Sequence, residues 1–341
     1  MKTKSKSRGT TVQKSSKGVS PHLSKRKVPL GGAPVASGPG AFPDFIYRGG
    51  EVINYPLVYL VFLGDWSSTA NQNRATRLQQ FMTDLMNSNY MNLLAQYGCG
   101  STGTVVNSVF IASTDHDLSD ADITTMLQNA INNNTIPEPT NRSNVYVIFL
   151  DDATAVNDTV THAVMCEATS DSAFGYHFHF VTAAGNELFF AVVPGLTDAC
   201  LKNSCPAATG GDDKCTLHLA QTREERQTQV LSHEFSEMIS NPDVDGTEGW
   251  SNSPGLPDHE NGDICNGQSG TITVGANTWT VQLMYSKWDD MESDGVTTCV
   301  AGSSFPLASL LPQTETTNQP WVSLLLQTET TNQPWVSLLL T

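Results

Sequence analysis

The sequence predicts an α/β (or α+β) fold built on a mixed sheet. Three observations carry this. Apolar, β-branched runs alternate with amphipathic helical patterns through the first half of the folded region. A hairpin-like segment follows them. A long apolar helix then carries an imidazole and two carboxylates within five residues.

Taken in order, "YPLVYLVFLGDW" (55–66) reads as a buried strand, rich in aromatic and β-branched residues. Residues 68–97 read as one or two helices, with Leu78, Phe81, Met82, Leu85, Leu93 and Leu94 on apolar faces. "VVNSVFIAST" (105–114) is a second strand. A helix over 118–134 follows, capped by Ser119 and with acids in its first turn. "NVYVIFLDD" (144–152) is a third buried strand. "FGYHFHFVTAAGNELFFAVVPG" (174–195) predicts a hairpin turning at Ala184-Gly185-Asn186. Residues 196–220 read as loop. The long helix starts near Arg223 and stops at Asn241-Pro242. "NTWTVQLMYSKWDD" (277–290) reads as a last strand.

Outside these elements the composition changes. Residues 1–50 are basic, then Gly/Pro/Ala-rich, and read as a disordered tail and linker. This stretch has no apolar core of the kind an ordinary signal peptide carries. Residues 51–302 form the expected domain. Residues 303–341 form a C-terminal tail holding "QTETTNQPWVSLLL" twice, too few copies for a solenoid. Nine of the 18 Lys and Arg lie between Lys2 and Lys27, ahead of the first acid, Asp44. From residue 28 onward nine bases face 34 acids, a balance of −25. Such a body is a poor partner for nucleic acid. No apolar run is long enough for a membrane span.

The chemistry concentrates in "QVLSHEFSEMISNP" (229–242). Residues four apart share a helix face, so His233 and Glu237 can hold one divalent metal. Glu234 is rotated by about 100° from His233. It suits the general base that takes a proton from the attacking water, as in His-Glu-x-x-His zinc helices. A carboxylate in the second ligand position widens the choice from zinc to another divalent metal. An ordinary polar helix surface fits poorly, because Val230, Leu231, Phe235, Met238 and Ile239 bury the helix. "DHENGDIC" (258–265) offers the third ligand, Glu260, together with His259 and Asp263. Asp263 can instead orient a ligand. His177 and His179 face one side of a strand and line the site, bind metal themselves or serve as structural histidines. His177 or Tyr285 can stabilise a developing oxyanion. "NPDVDG" (241–246) is half of a calcium loop and reads better as a helix-stop turn.

"HEFSEMISNPDVDG", Trp250 and "HENGDIC" together resemble the His-Glu-x-x-Glu…Asn-Pro…Glu-x-x-Asp-x-Cys segment of the EXORDIUM-like (phosphate-induced protein) family and its microbial relatives. The early strand, "GYH" at 175–177, the short-spaced Cys200 and Cys205, and Cys299 after the last strand agree with it. The resemblance spans roughly residues 50–300. It implies an extracellular or cell-surface protein and a zincin-like helix, hence a zincin-like mixed sheet. The chain departs from the family in its basic head and its repeated tail.

Seven cysteines without a CxxC pair fit disulfides of an oxidising compartment, or scattered buried thiols. Their placement predicts Cys200–Cys205 and Cys265–Cys299 pairs. The combined reading is a metal-dependent hydrolase, a zinc peptidase acting outside the cell on a peptide or protein substrate. His233, Glu237 and Glu260 would hold the metal and Glu234 would be the base. The alternative is a non-catalytic secreted binding or signalling protein, contacting a cell-wall or surface component, with a structural metal or none.

Overall fold

The computed structural model describes residues 45–158, 163–165, 172–204, 217, 219–243, 246–252, 259–292 and 298–302. The basic N-terminal tail, the duplicated C-terminal segment and Cys205 lie outside the described residues.

In chain order the first elements are β1 (Ile46–Tyr47), β2 (Leu57–Leu63), α1 (Thr69–Met86), α2 (Asn89–Ala95), β3 (Thr104–Ile111), β4 (Asp117–Leu118), α3 (Asp120–Asn132) and β5 (Asn144–Leu150). Then come β6 (Ala155–Asp158), β7 (Ala163–Met165), β8 (Ser172–Ala173), β9 (Tyr176–Val181), β10 (Glu187–Val193), α4 (Asp198–Ser204) and α5 (Arg223–Ser240). The chain continues through β11 (Trp250–Ser251), a 3-10 turn (Asp263–Cys265), β12 (Ser269–Val274), β13 (Asn277–Gln282), β14 (Met284–Tyr285), α6 (Lys287–Glu292) and β15 (Cys299–Val300).

The central sheet has five strands in the order β3-β2-β5-β10-β9. β2 pairs in parallel with β3 and β5, and β10 pairs in parallel with β5. β9 closes one edge antiparallel to β10, with His179 opposite Phe189. The sheet is therefore mixed, as the alternating pattern predicts. Parallel strands need covered faces, and the sequence provides them. Val145, Val147 and Phe149 of β5 pack into one core with α1, α2 and α5. Tyr146, Ile148 and Leu150, one residue out of phase, pack into a second core with α3. The result is helix, sheet and helix in three layers.

The same alternation places the histidines. Tyr176 and Phe178 of β9 join the α3 core, so His177 and His179 turn to the opposite face, toward α5. Both α5 and β9 are thereby committed to one region.

The one or two helices read over residues 68–97 are two, because Ser88 interrupts them and caps the second by accepting from Tyr90 N (3.2 Å). Other elements differ from those read in the sequence. The segment read as loop after residue 196 contains α4, whose Cys200 and Leu201 enter the core. The last strand does not run from 277 to 290. It is the second arm of a hairpin, β12–β13, turning at Gly275 with φ +58°. Ser286 then starts α6, its backbone oxygen accepting from Asp290 N (2.9 Å).

Candidate metal centre

α5 begins at a capping box: the Thr222 hydroxyl accepts from Glu225 N, and the Glu225 carboxylate accepts from Thr222 N. It stops before Pro242. Between these ends it lies against the sheet face on one side and the β12–β13 hairpin on the other. Every residue from Arg226 to Ser240 is consequently buried. Arg226 is reconciled with burial through hydrogen bonds. Its Nη1 donates to Leu196 O (3.1 Å) and pairs with Asp198 (2.7 Å), and its Nη2 donates to Leu219 O (3.1 Å).

The helix brings His233, Glu234 and Glu237 into the middle of this layer, and two further segments meet them. β9 contributes His177. The loop before β12 contributes Glu260 and Asp263. That loop is pinned three ways. Asn261 Nδ2 donates to Ser236 Oγ (2.9 Å), Asn261 O accepts from Tyr285 N (3.1 Å), and Cys265 is disulfide-bonded to Cys299. Gly262 is required where the loop passes the helix. A Cβ there would stand 2.7 Å from Glu237 Oε1 and 2.9 Å from His233 Nδ1.

The resulting cluster holds four carboxylates and two imidazoles, none more than 3% exposed. His233 Nε2 lies 3.1 Å from Glu237 Oε2 and 3.9 Å from Asp263 Oδ1. His177 Nδ1 lies 3.4 Å from Glu234 Oε2 and 3.7 Å from Glu237 Oε2, and its Nε2 lies 3.6 Å from Glu260 Oε1. Two groups of three have donor atoms all within 4.8 Å of one another: His177, Glu237 and Glu260, and His233, Glu237 and Asp263. Either could hold a metal ion.

The fit of a cation can be tested on the hydrogen bonds. His177 Nε2, Glu237 Oε2 and both carboxylate oxygens of Asp263 are buried with no hydrogen-bond partner. Such orphans are rare in folded proteins and each costs about 1–3 kcal/mol, more when charged. His233 Nε2 and Glu237 Oε2 approach to 3.1 Å without hydrogen-bond geometry. Two donors on one tetrahedral zinc stand roughly 3.3 Å apart, which accounts for that approach. The surrounding groups orient the donors. His233 Nδ1 is hydrogen-bonded to the Gln282 side-chain amide (2.6 Å), leaving Nε2 toward the carboxylates. Asn241 Nδ2 donates to Glu260 Oε1 (2.8 Å), and Asp263 N donates to Glu237 Oε1 (3.1 Å).

Burial dominates the electrostatics. Loss of water pushes the Glu234 carboxyl up to about 7, partly opposed by His233. Burial raises Glu237 well above the carboxylate range, helped by the charge of Glu234. Glu260 and Asp263 are raised for the same reason, against the pull of His177 and His233 respectively. Burial also holds His177 below its ordinary value, against the pull of Glu260.

The expected ligands are thus all in one cluster but grouped differently. Asp263, not Glu260, completes the set with His233 and Glu237, while Glu260 faces His177. His177 is central. His179 points elsewhere, with Nε2 3.6 Å from Asp243 and its ring stacked on Phe189. His259 pairs with Glu248 (2.8 Å) at a part-exposed position. The Tyr285 hydroxyl donates to Asp290 (2.7 Å), and its ring packs on Phe45. Gln282, Asn241 and Gly262 are missed by sequence reasoning. No sequence signal marks Gln282, which is one of four polar residues in the strand "NTWTVQ".

The Cys265–Cys299 disulfide forms as predicted. Cys200 is disulfide-bonded to a partner outside the described residues, where Cys166, Cys205 and Cys215 all lie, and Cys99 is a buried free thiol. No helix among the described residues is long and apolar enough to cross a membrane. Comparison with family models, curated proteins and solved structures finds no match to the chain.

Proposed function

We propose that the chain is a metal-dependent hydrolase of zincin type, cleaving peptide bonds outside the cell. The observation that carries this reading is the buried His233-Glu234-x-x-Glu237 turn, with unpartnered ligand atoms facing Asp263 and an added carboxylate, Glu234, beside His177. Support for the zincin comparison comes from the mixed sheet, whose antiparallel edge strand β9 lies beside α5. Disulfides support an oxidising compartment. Kinship with EXORDIUM-like proteins remains part of the proposal and rests on the His233–Cys265 segment.

His233, Glu237 and Asp263 would hold zinc or another divalent ion, which supplies a Lewis acid for a substrate carbonyl. Glu234 receives the proton of the attacking water and returns it to the leaving amine. Its carboxyl, pushed up to about 7, is suited to exchange a proton near neutral pH. His177, held neutral by burial, is placed to hydrogen-bond Glu234 and fix its orientation. Glu234→Gln retains shape and hydrogen bonding but not the basic oxygen. It should fold, bind metal like wild type and lose activity by about 10²–10⁴-fold. The assay is cleavage of a mixed peptide library read by mass spectrometry, with a chelator control. Equal cleavage by the variant would sink the mechanism.

A second reading is favoured by one observation: the whole cluster is closed to solvent. Structural metal sites are closed, whereas catalytic ones keep an open position. A metal-loaded wild type that cleaves nothing would select the non-catalytic binding protein.

A further inference from the structure

The cluster carries more ligand atoms than one ion can use. The two groups of three share only Glu237. One draws on β9 and the start of the loop, the other on α5 and the 3-10 turn. Glu260 sits in the first group with His177, and Asp263 in the second with His233. Unpartnered atoms occur in both: His177 Nε2 in the first, both Asp263 oxygens in the second, and Glu237 Oε2 in common. A single ion seated in either group would leave buried orphans in the other.

Charge points the same way. Glu234, Glu237, Glu260 and Asp263 are buried together, and among the described residues none of them pairs with a lysine or arginine. Were all four carboxylates ionised, one divalent ion would leave two charges uncompensated in a medium where that is costly. A second divalent ion cancels them. Glu237 is built to be shared. Its Oε1 is held by the Asp263 backbone N–H (3.1 Å), while Oε2 faces both His233 Nε2 (3.1 Å) and His177 Nδ1 (3.7 Å).

We infer that the cluster is a two-metal centre, with Glu237 bridging one divalent ion held by His233 and Asp263 and a second held by His177 and Glu260. This rests on the proposed hydrolase reading and deepens it. Imidazole with carboxylates suits zinc or manganese in both positions. Two-metal hydrolytic centres stabilise the attacking and leaving groups together.

The test is metal stoichiometry. The full chain, stripped with chelator and dialysed against excess Zn²⁺ alone, is freed of unbound ion and analysed by plasma mass spectrometry. Two zinc per chain are expected. His177→Gln and His233→Gln should each retain one, and Glu237→Gln should bind both at least tenfold more weakly. Repeating the titration with Mn²⁺ and reading spin coupling between the two ions gives a signal that a lone ion cannot produce. One ion per wild-type chain at saturation, lost in His233→Gln and kept in His177→Gln, would overturn the two-metal centre and leave the hydrolase reading standing. No bound ion in wild type would overturn both. The wild-type count needs no variant to fold.

Discussion

Stripping the metal should make the protein lose stability as pH rises from about 6.5 to 8. Glu237, Glu260 and Asp263 are held well above the carboxylate range by burial, and Glu234 sits at about 7. In the unfolded chain all four ionise below about pH 6. Through the chosen window the folded state therefore holds more protons than the unfolded state, and stability must fall with rising pH. A proton held throughout costs about 1.4 kcal/mol per pH unit. Glu234, at about 7, releases its proton partway and alone removes about 0.8 kcal/mol across the window, and the more strongly raised Glu237, Glu260 and Asp263 add to this. His177 works in the opposite sense. Its folded value is depressed, so its contribution is lost as pH falls below about 6.5, which is why the window starts there. Urea unfolding in the presence of chelator reads the change. With a slope of about 2 kcal/mol per molar, the midpoint should drop by about 0.4 M or more. Glu234→Gln should flatten part of the dependence. Saturating Zn²⁺ should reverse it, since bound ligands are deprotonated and ion binding adds to folding. A chelated protein whose midpoint is flat or rises over this window would refute the account of a strained, ion-less carboxylate cluster.

Three further outcomes follow from particular contacts. Gly262→Ala should leave the far-ultraviolet dichroism unchanged but weaken zinc binding in calorimetry at least tenfold, because its Cβ would press on Glu237 and His233. Arg226→Ala should destabilise by about 3 kcal/mol, stranding the Leu196 and Leu219 carbonyls, whereas Asp198→Asn, at the exposed end of the same pair, should change stability by less than about 1 kcal/mol in thermal unfolding. Reducing Cys265–Cys299, which closes a separation of 34 residues, should cost about 3–4 kcal/mol and weaken zinc binding before the domain unfolds, since Cys265 anchors the turn that carries Asp263.

The sheet was legible because its central strands β2, β5 and β10 are apolar on both faces and its helices carry their own caps, as Ser119 and Thr222 do. The i,i+4 relation of His233 and Glu237 is a local property of a helix and was equally plain. His177 was visible only as one option, since strand parity fixes which residues share a face but not what that face meets. The division of Glu260 and Asp263 between two groups was not legible. It depends on a loop whose path is set by Asn261 bonding Ser236, by the Cys265–Cys299 link and by the hairpin behind it. Gln282 escaped because residues 277–290 read as one continuous strand, hiding the hairpin arm that delivers its amide to His233.

Encasing α5 between sheet and hairpin has a kinetic consequence. An element with no solvent-facing side from Arg226 to Ser240 has no local opening available to it, so its amides should exchange with deuterium only when the whole domain unfolds. The loop from residue 259 to 265 meets water only at His259, and it opens only by breaking its hydrogen bonds to Ser236 and Glu237 of the helix. Ions should therefore enter and leave through that loop. Once seated, they should exchange with free isotope far more slowly than their affinity alone would suggest, on a clock set by loop opening.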